Sequence, residues 1–184
     1  MTRPLTAAGA IRSCLLLGVS LAIVLEGLDH VPALLAGTPH GARVYRTIDR
    51  AEAGIGAAIW LPSPVPPALS WPPHRIDVWP GPPVSLAVRF DARKPGGPRL
   101  VLFQSIGGRQ NPPEALLPAA QGLLTVGDVP LGRHLATLTR ALAPGGQLLH
   151  DLTWDQGDRR LVLRYEGPVE DLLQAARSLE RIHP

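Results

Sequence analysis

Side chains able to do chemistry are few and scattered in this chain. Six histidines stand at positions 30, 40, 74, 134, 150 and 183, and no pair has the spacing by which one helix or strand presents two ligands to a metal. No HExxH, GxSxG, Walker or GxGxxG pattern occurs. Cys14 is the sole cysteine, so an intramolecular disulfide and a Cys-based metal centre are both excluded. No catalytic residue, metal ligand or cofactor site is expected, and the chain reads as non-enzymatic. His150-Asp151 beside Trp154-Asp155 is the densest polar and aromatic cluster, and it reads as a strand with alternating faces rather than a site. Gly107-Gly108-Arg109-Gln110-Asn111 follows a strand as a phosphate loop would, but Pro112-Pro113 stops any helix whose N-terminus could hold an anion. A flexible loop is expected there.

Charge gives the next exclusion. A net charge of +3 is small and dispersed, and no basic stripe interleaves with aromatics, so a nucleic-acid partner is not expected. Lys94 is the only lysine, and arginine carries the rest of the positive charge.

Apolar character is concentrated before residue 37. Ser13 to Leu25 holds no charge, follows Arg3 and Arg12, and precedes Glu26. A helix of that length spans only about 20 Å, short of the roughly 30 Å hydrocarbon core, so a spanning helix must recruit its flanks. Extension back to Leu5 lets Arg12 snorkel. Extension forward to Ala36 takes Glu26, Asp29 and His30 into the membrane, at about 2.5–3.5 kcal/mol per central charge unless a partner receives them. For an isolated chain the backward register costs less, and these three then mark the outer water boundary; on a continued helix they share a face and are candidate contacts to another membrane subunit. Arginines ahead of the run place the N-terminus in the cytoplasm and the rest outside. A secretory signal peptide has the same layout, but Ala33-Leu34-Leu35-Ala36 is a poor cleavage site, which favours an uncleaved single-pass anchor in the cell membrane.

The expected organisation is a cytoplasmic stub and single transmembrane helix over 1–37, a connector over 38–46, and an extracytoplasmic α+β domain over 47–184. A short helix opens that domain, with Thr47 as its cap and Gly54 as its end, followed by a strand from Ile55 to Leu61. Residues 62–83 hold nine prolines around one candidate strand, His74 to Trp79. Edge strand or extended loop is predicted there, and Trp71 and Trp79 are its candidate partner contacts. Val84 to Phe90 and Arg99 to Ile106 read as a hairpin across Lys94-Pro-Gly-Gly-Pro. Weaker strands follow near Leu123 to Val126 and Leu135 to Ala141. A second hairpin pairs Gln147 to Trp154 with Arg159 to Tyr165. Pro168 opens a terminal helix whose Val169, Leu172, Leu173, Ala176, Leu179 and Ile182 share one face. The sum is a curved antiparallel sheet with a short N-terminal and a longer C-terminal helix.

The order of these features resembles an extracytoplasmic domain of unknown function found behind the membrane helix of bacterial anti-sigma factors and related sigma-regulatory membrane proteins. Matching segments are Ala51-Glu52-Ala53-Gly54 with Ile59-Trp60-Leu61-Pro62, then Val88-Arg89-Phe90 and Leu100-Val101-Leu102-Phe103-Gln104. Leu152-Thr153-Trp154-Asp155-Gln156-Gly157 and Val169-Glu170-Asp171-Leu172-Leu173 with Ala176-Arg177-Ser178-Leu179 complete them. The resemblance implies a sensing or interaction domain with no catalytic residues. The cytoplasmic sigma-binding part of those regulators has no counterpart in the short stub, so sequestration of a sigma factor is not expected. Two functions follow: an accessory or regulatory subunit whose outer domain binds a protein partner, or a sensor or carrier holding an apolar ligand on its concave sheet.

Overall fold

A period of two dominates residues 84–165, and in the protein it becomes one sheet. The computed structural model describes residues 41–113 and 122–181. Among them are β1 (Arg43–Tyr45), α1 (Ile48–Ile55), β2 (Trp60–Pro62), β3 (Arg75–Trp79), β4 (Val84–Phe90) and β5 (Leu100–Ile106). The chain continues with β6 (Gly122–Leu131), β7 (His134–Leu142), β8 (Leu148–Gln156), β9 (Arg159–Tyr165), α2 (Val169–Arg177) and β10 (Leu179–Arg181). Eight strands form an open sheet in the order β1-β3-β4-β5-β9-β8-β7-β6, antiparallel at every pairing, and β10 pairs with β2 in a separate two-stranded sheet. The architecture is α+β, as the sequence predicts.

Register fixes which residues share a face. Ile76, Val88, Leu102, Leu163, Leu152 and Leu138 lie in one row across six strands, and all but Leu138 are fully buried. Leu61, Leu69, Leu172 and Ala176 from outside the sheet close this core, together with Ala51 of α1. Each fully buried leucine contributes about 1.5–3 kcal/mol, so this face holds most of the favourable term in folding. The other face also has a buried apolar floor, made of Ala87, Phe103 and Val162 with Trp79 and Val101 against them.

Several expectations shift once packing is seen. α1 runs through Gly54 and ends at Gly56, whose left-handed φ of 69° suits glycine. Gly54 is required for another reason: a Cβ there would sit 2.4 Å from the Tyr45 hydroxyl. Thr47 occupies the N-cap with extended backbone but makes no side-chain cap bond. The predicted strand from Ile55 shrinks to Trp60–Pro62, because Glu52 Oε1 accepts the Ile59 N–H at 2.7 Å and holds the chain in a return loop. The connector over 38–46 contains β1, whose pairing with β3 makes β3 an inner strand rather than an edge.

The terminal helix is shorter than its apolar spacing predicts. Ser178 Oγ turns back onto the Ala175 carbonyl at 2.9 Å and accepts the Ser63 N–H at 3.1 Å. Leu179 therefore starts β10 against Pro62 instead of adding a helical turn. Ile182 lies outside the described residues, as do the proposed membrane segment and Glu26, Asp29 and His30. Among the described residues no helix is long and apolar enough to cross a membrane.

Candidate functional site

Trp71 and Trp79, which the sequence joins in one proline-rich segment, are set apart by the fold. Trp71 is half exposed in the loop before β3 and stacks on Phe90, with ring centroids 6.3 Å apart and planes 23° from parallel. Phe90 belongs to the main core, so Trp71 covers one end of that face. Trp79 ends β3 on the opposite face, where it packs on Ala87, Phe103 and Val162. The two rings do not form one surface.

On that second face, carboxylates and guanidiniums flank the apolar floor. Asp77, fully buried, accepts from Arg75 Nε at 2.7 Å and Arg89 Nε at 3.0 Å. Asp151 pairs with Arg164 across the β8–β9 ladder, and Asp155 takes Arg160 at 3.1 Å and Arg109 at 3.3 Å. Their methylene stems provide apolar surface to lie along the floor, while the heads stay paired. The loop at 107–111, expected to be flexible, is tied down here. Ser105 Oγ donates to the Gly108 carbonyl at 2.6 Å and accepts the Gln110 N–H at 3.2 Å, and Arg160 reaches Asn111 Oδ1 at 2.7 Å.

The His150 cluster behaves as alternation predicts. Trp154 points into the core, while Asp151 and Asp155 serve the ion pairs of the other face. His150 is buried with Nδ1 3.0 Å from the Gly167 carbonyl. A carbonyl only accepts, so Nδ1 carries the proton. Burial holds its pKa below the ordinary value, with the Gly167 carbonyl opposing that shift. Tyr165 is pushed up to about 12, first by burial and then by the negative charge of Asp171.

Sequence reasoning missed a polar node at the core's edge. Gln104 is fully buried; its Nε2 donates to the Trp60 carbonyl at 2.6 Å and its Oε1 accepts the Trp60 N–H at 3.1 Å. Arg159 adds a bond from Nη1 to Gln104 Oε1 at 3.2 Å and another to the Ala58 carbonyl at 2.9 Å, with its guanidinium 4.8 Å from the centre of the Trp60 ring. A lone glutamine inside the apolar run Leu-Val-Leu-Phe-Gln-Ser-Ile was the signal. Gly56, Ala57, Ala58, Gln156 and Leu179 complete an open cavity of about 520 Å³ beside this node.

The free edge of the sheet is the surface most suited to a partner. Among the described residues β6 has one neighbour only, β7, so one side of a ten-residue strand offers its backbone N–H and C=O groups. Leu123 is 67% exposed, Leu124 52%, Val126 56% and Leu135, on β7, 66%. Register puts Leu123, Val126 and Leu135 on the second face, beside Ala141, Thr139 and Pro130 respectively. No lysine or arginine blunts β6; Pro130 and a bulge between Leu123 and Thr125 interrupt it only near its ends. The opposite edge, β1, has three residues.

Comparison of the chain with protein-family models, with curated proteins and with solved structures finds no match.

Proposed function

We propose that this chain is a non-enzymatic accessory or regulatory protein, anchored in the cell membrane by its N-terminal apolar segment. Its outer domain takes a protein partner by strand addition along β6. The observation that carries this reading is the exposure of Leu123, Leu124 and Val126 on an edge strand of ten residues. Exposed apolar side chains beside open backbone groups fit an extended segment: the ladder would supply affinity, and the alternating side chains specificity. The regulatory setting comes from the sequence resemblance, and Glu26, Asp29 and His30 are the proposed contacts within the membrane. An apolar carrier is less well supported, because the cavity beside Trp60 is lined by the Arg159 guanidinium.

Purification of the full chain from native membranes in mild detergent tests this reading. A stoichiometric protein partner that is lost in the Leu124→Lys/Val126→Lys variant is the expected result. Recovery of a partner-free monomer overturns it.

A further inference from the structure

The only lysine of the chain and four arginines converge at one end of the sheet. The β4–β5 turn bounds an open hollow of about 590 Å³ lined by Arg93, Lys94, Arg99 and Gln147 among others. A smaller hollow of about 170 Å³ shares Asp91, Arg99 and Glu166 with it and is lined further by Arg89, Arg164 and His74, with Phe90, Leu100 and Val101 as its apolar part. Five cations and two carboxylates line the hollows, and Asp77 and Asp151 offset Arg89 and Arg164 from beside them, which leaves a small excess of positive charge, carried by the turn, in a cleft with partly apolar walls.

Both carboxylates are already engaged. Asp91 lies 3.2 Å from His74 Nδ1, and Glu166 holds Arg99 side-on, from Nε at 3.0 Å and Nη2 at 2.7 Å. That grip fixes the Arg99 guanidinium and leaves Nη1 without a hydrogen bond among the described residues. Arg89 is held by one bond, from Nε to Asp77 at 3.0 Å, and its two terminal nitrogens have no acceptor among the described residues. Two oriented guanidiniums thus line the smaller hollow with donors to spare, a geometry that suits an oxyanion. Its volume is below the roughly 300–1,000 Å³ of sites for drug-sized ligands, so it fits one compact group, while the larger hollow admits whatever that group is attached to.

We propose that this cleft binds a phosphate group, free or as part of a phospholipid headgroup, between Arg89 and Arg99, with Arg93 and Lys94 on the open side. The site is separate from the β6 edge, and the two readings fail separately.

The test uses the full ¹⁵N-labelled chain in neutral detergent. Inorganic phosphate is titrated at constant ionic strength against chloride while the arginine Nε–Hε resonances are followed. Saturable shifts of Arg89 and Arg99 with phosphate alone are expected. Affinity should fall about tenfold in Arg99→Gln and also in Arg93→Gln/Lys94→Gln, whose exposed turn leaves folding intact, and stay unchanged in Val126→Lys. Dihexanoylphosphatidylglycerol below its micellar concentration is the second probe. Tighter binding than phosphate marks a lipid headgroup as the source, and equal or weaker binding marks the free anion. Shifts reproduced by chloride, no saturation with either probe, or unchanged affinity in both charge variants overturns the proposal.

Discussion

Gln104 shows how much one polar side chain can hold. Both hydrogen-bonding groups of the Trp60 backbone end on its amide, and Arg159 shares its oxygen. Gln104→Leu keeps the side chain's approximate size but leaves Trp60 groups unpaired in a partly buried place. A loss of about 1–3 kcal/mol for each unsatisfied group is expected, measured by urea denaturation. His150 makes a pH prediction. Its folded pKa lies below the ordinary value near 6.5, so the unfolded chain binds the proton more readily. The contribution to stability is complete above about pH 6.5 and declines as pH falls from there towards the folded pKa. Denaturation midpoints measured across that window should decline less in His150→Gln than in the parent protein. Neither residue role was legible in the sequence, because each partner is distant along the chain: Gln104 and Trp60 are 44 residues apart, and His150 and Gly167 are 17 apart.

Elements were more legible where their signals are local. The β4–β5 and β8–β9 hairpins carry period-two patterns closed by turn residues, and both form in the predicted pairing. β6 and β7 read as weak strands and prove longer: β6 is exposed over most of both faces, and β7 buries only Ala136 and Ala141, one on each face, so neither carries a clean period of two. β1 and β10 gave no signal: three residues hold no period, and each exists only because a distant strand receives it. Gly167 sits between β9 and α2 where a Cβ would approach the Tyr165 ring to within 2.4 Å, and that ring is fully buried. Gly167→Ala should therefore cost about 1–3 kcal/mol through overpacking, read as a lower denaturation midpoint. Leu124→Lys/Val126→Lys should behave oppositely, shifting stability by no more than about 0.5 kcal/mol while removing partner binding.

At the level of the whole molecule, the chain divides into two units, 1–37 and 38–184. Every strand of the described sheets lies in the second unit, and so do the residues of both apolar clusters. A fragment beginning at Thr38 should give the far-UV circular dichroism of an antiparallel sheet and unfold in one cooperative transition. The full chain should sediment with membranes under conditions in which this fragment does not. Loss of cooperativity in the fragment would overturn the boundary at Thr38. The fold class followed from patterning because an antiparallel sheet writes itself as repeated hairpins. The surfaces did not, since exposure of β6 and convergence of charge at the β4–β5 turn depend on strand order across the sheet.

Lys94 carries the only side-chain amine in the sequence, and it stands at the mouth of the basic cleft. An amine-directed fluorophore has two destinations on the intact chain, this turn and the N-terminal amine, and in the fragment from Thr38 the new terminus replaces the second. A dye attached to Lys94 by reductive alkylation keeps the positive charge that the cleft uses and would watch the cleft alone among side chains, so occupancy could be followed optically in vesicles holding the purified chain, where resonance assignments are out of reach.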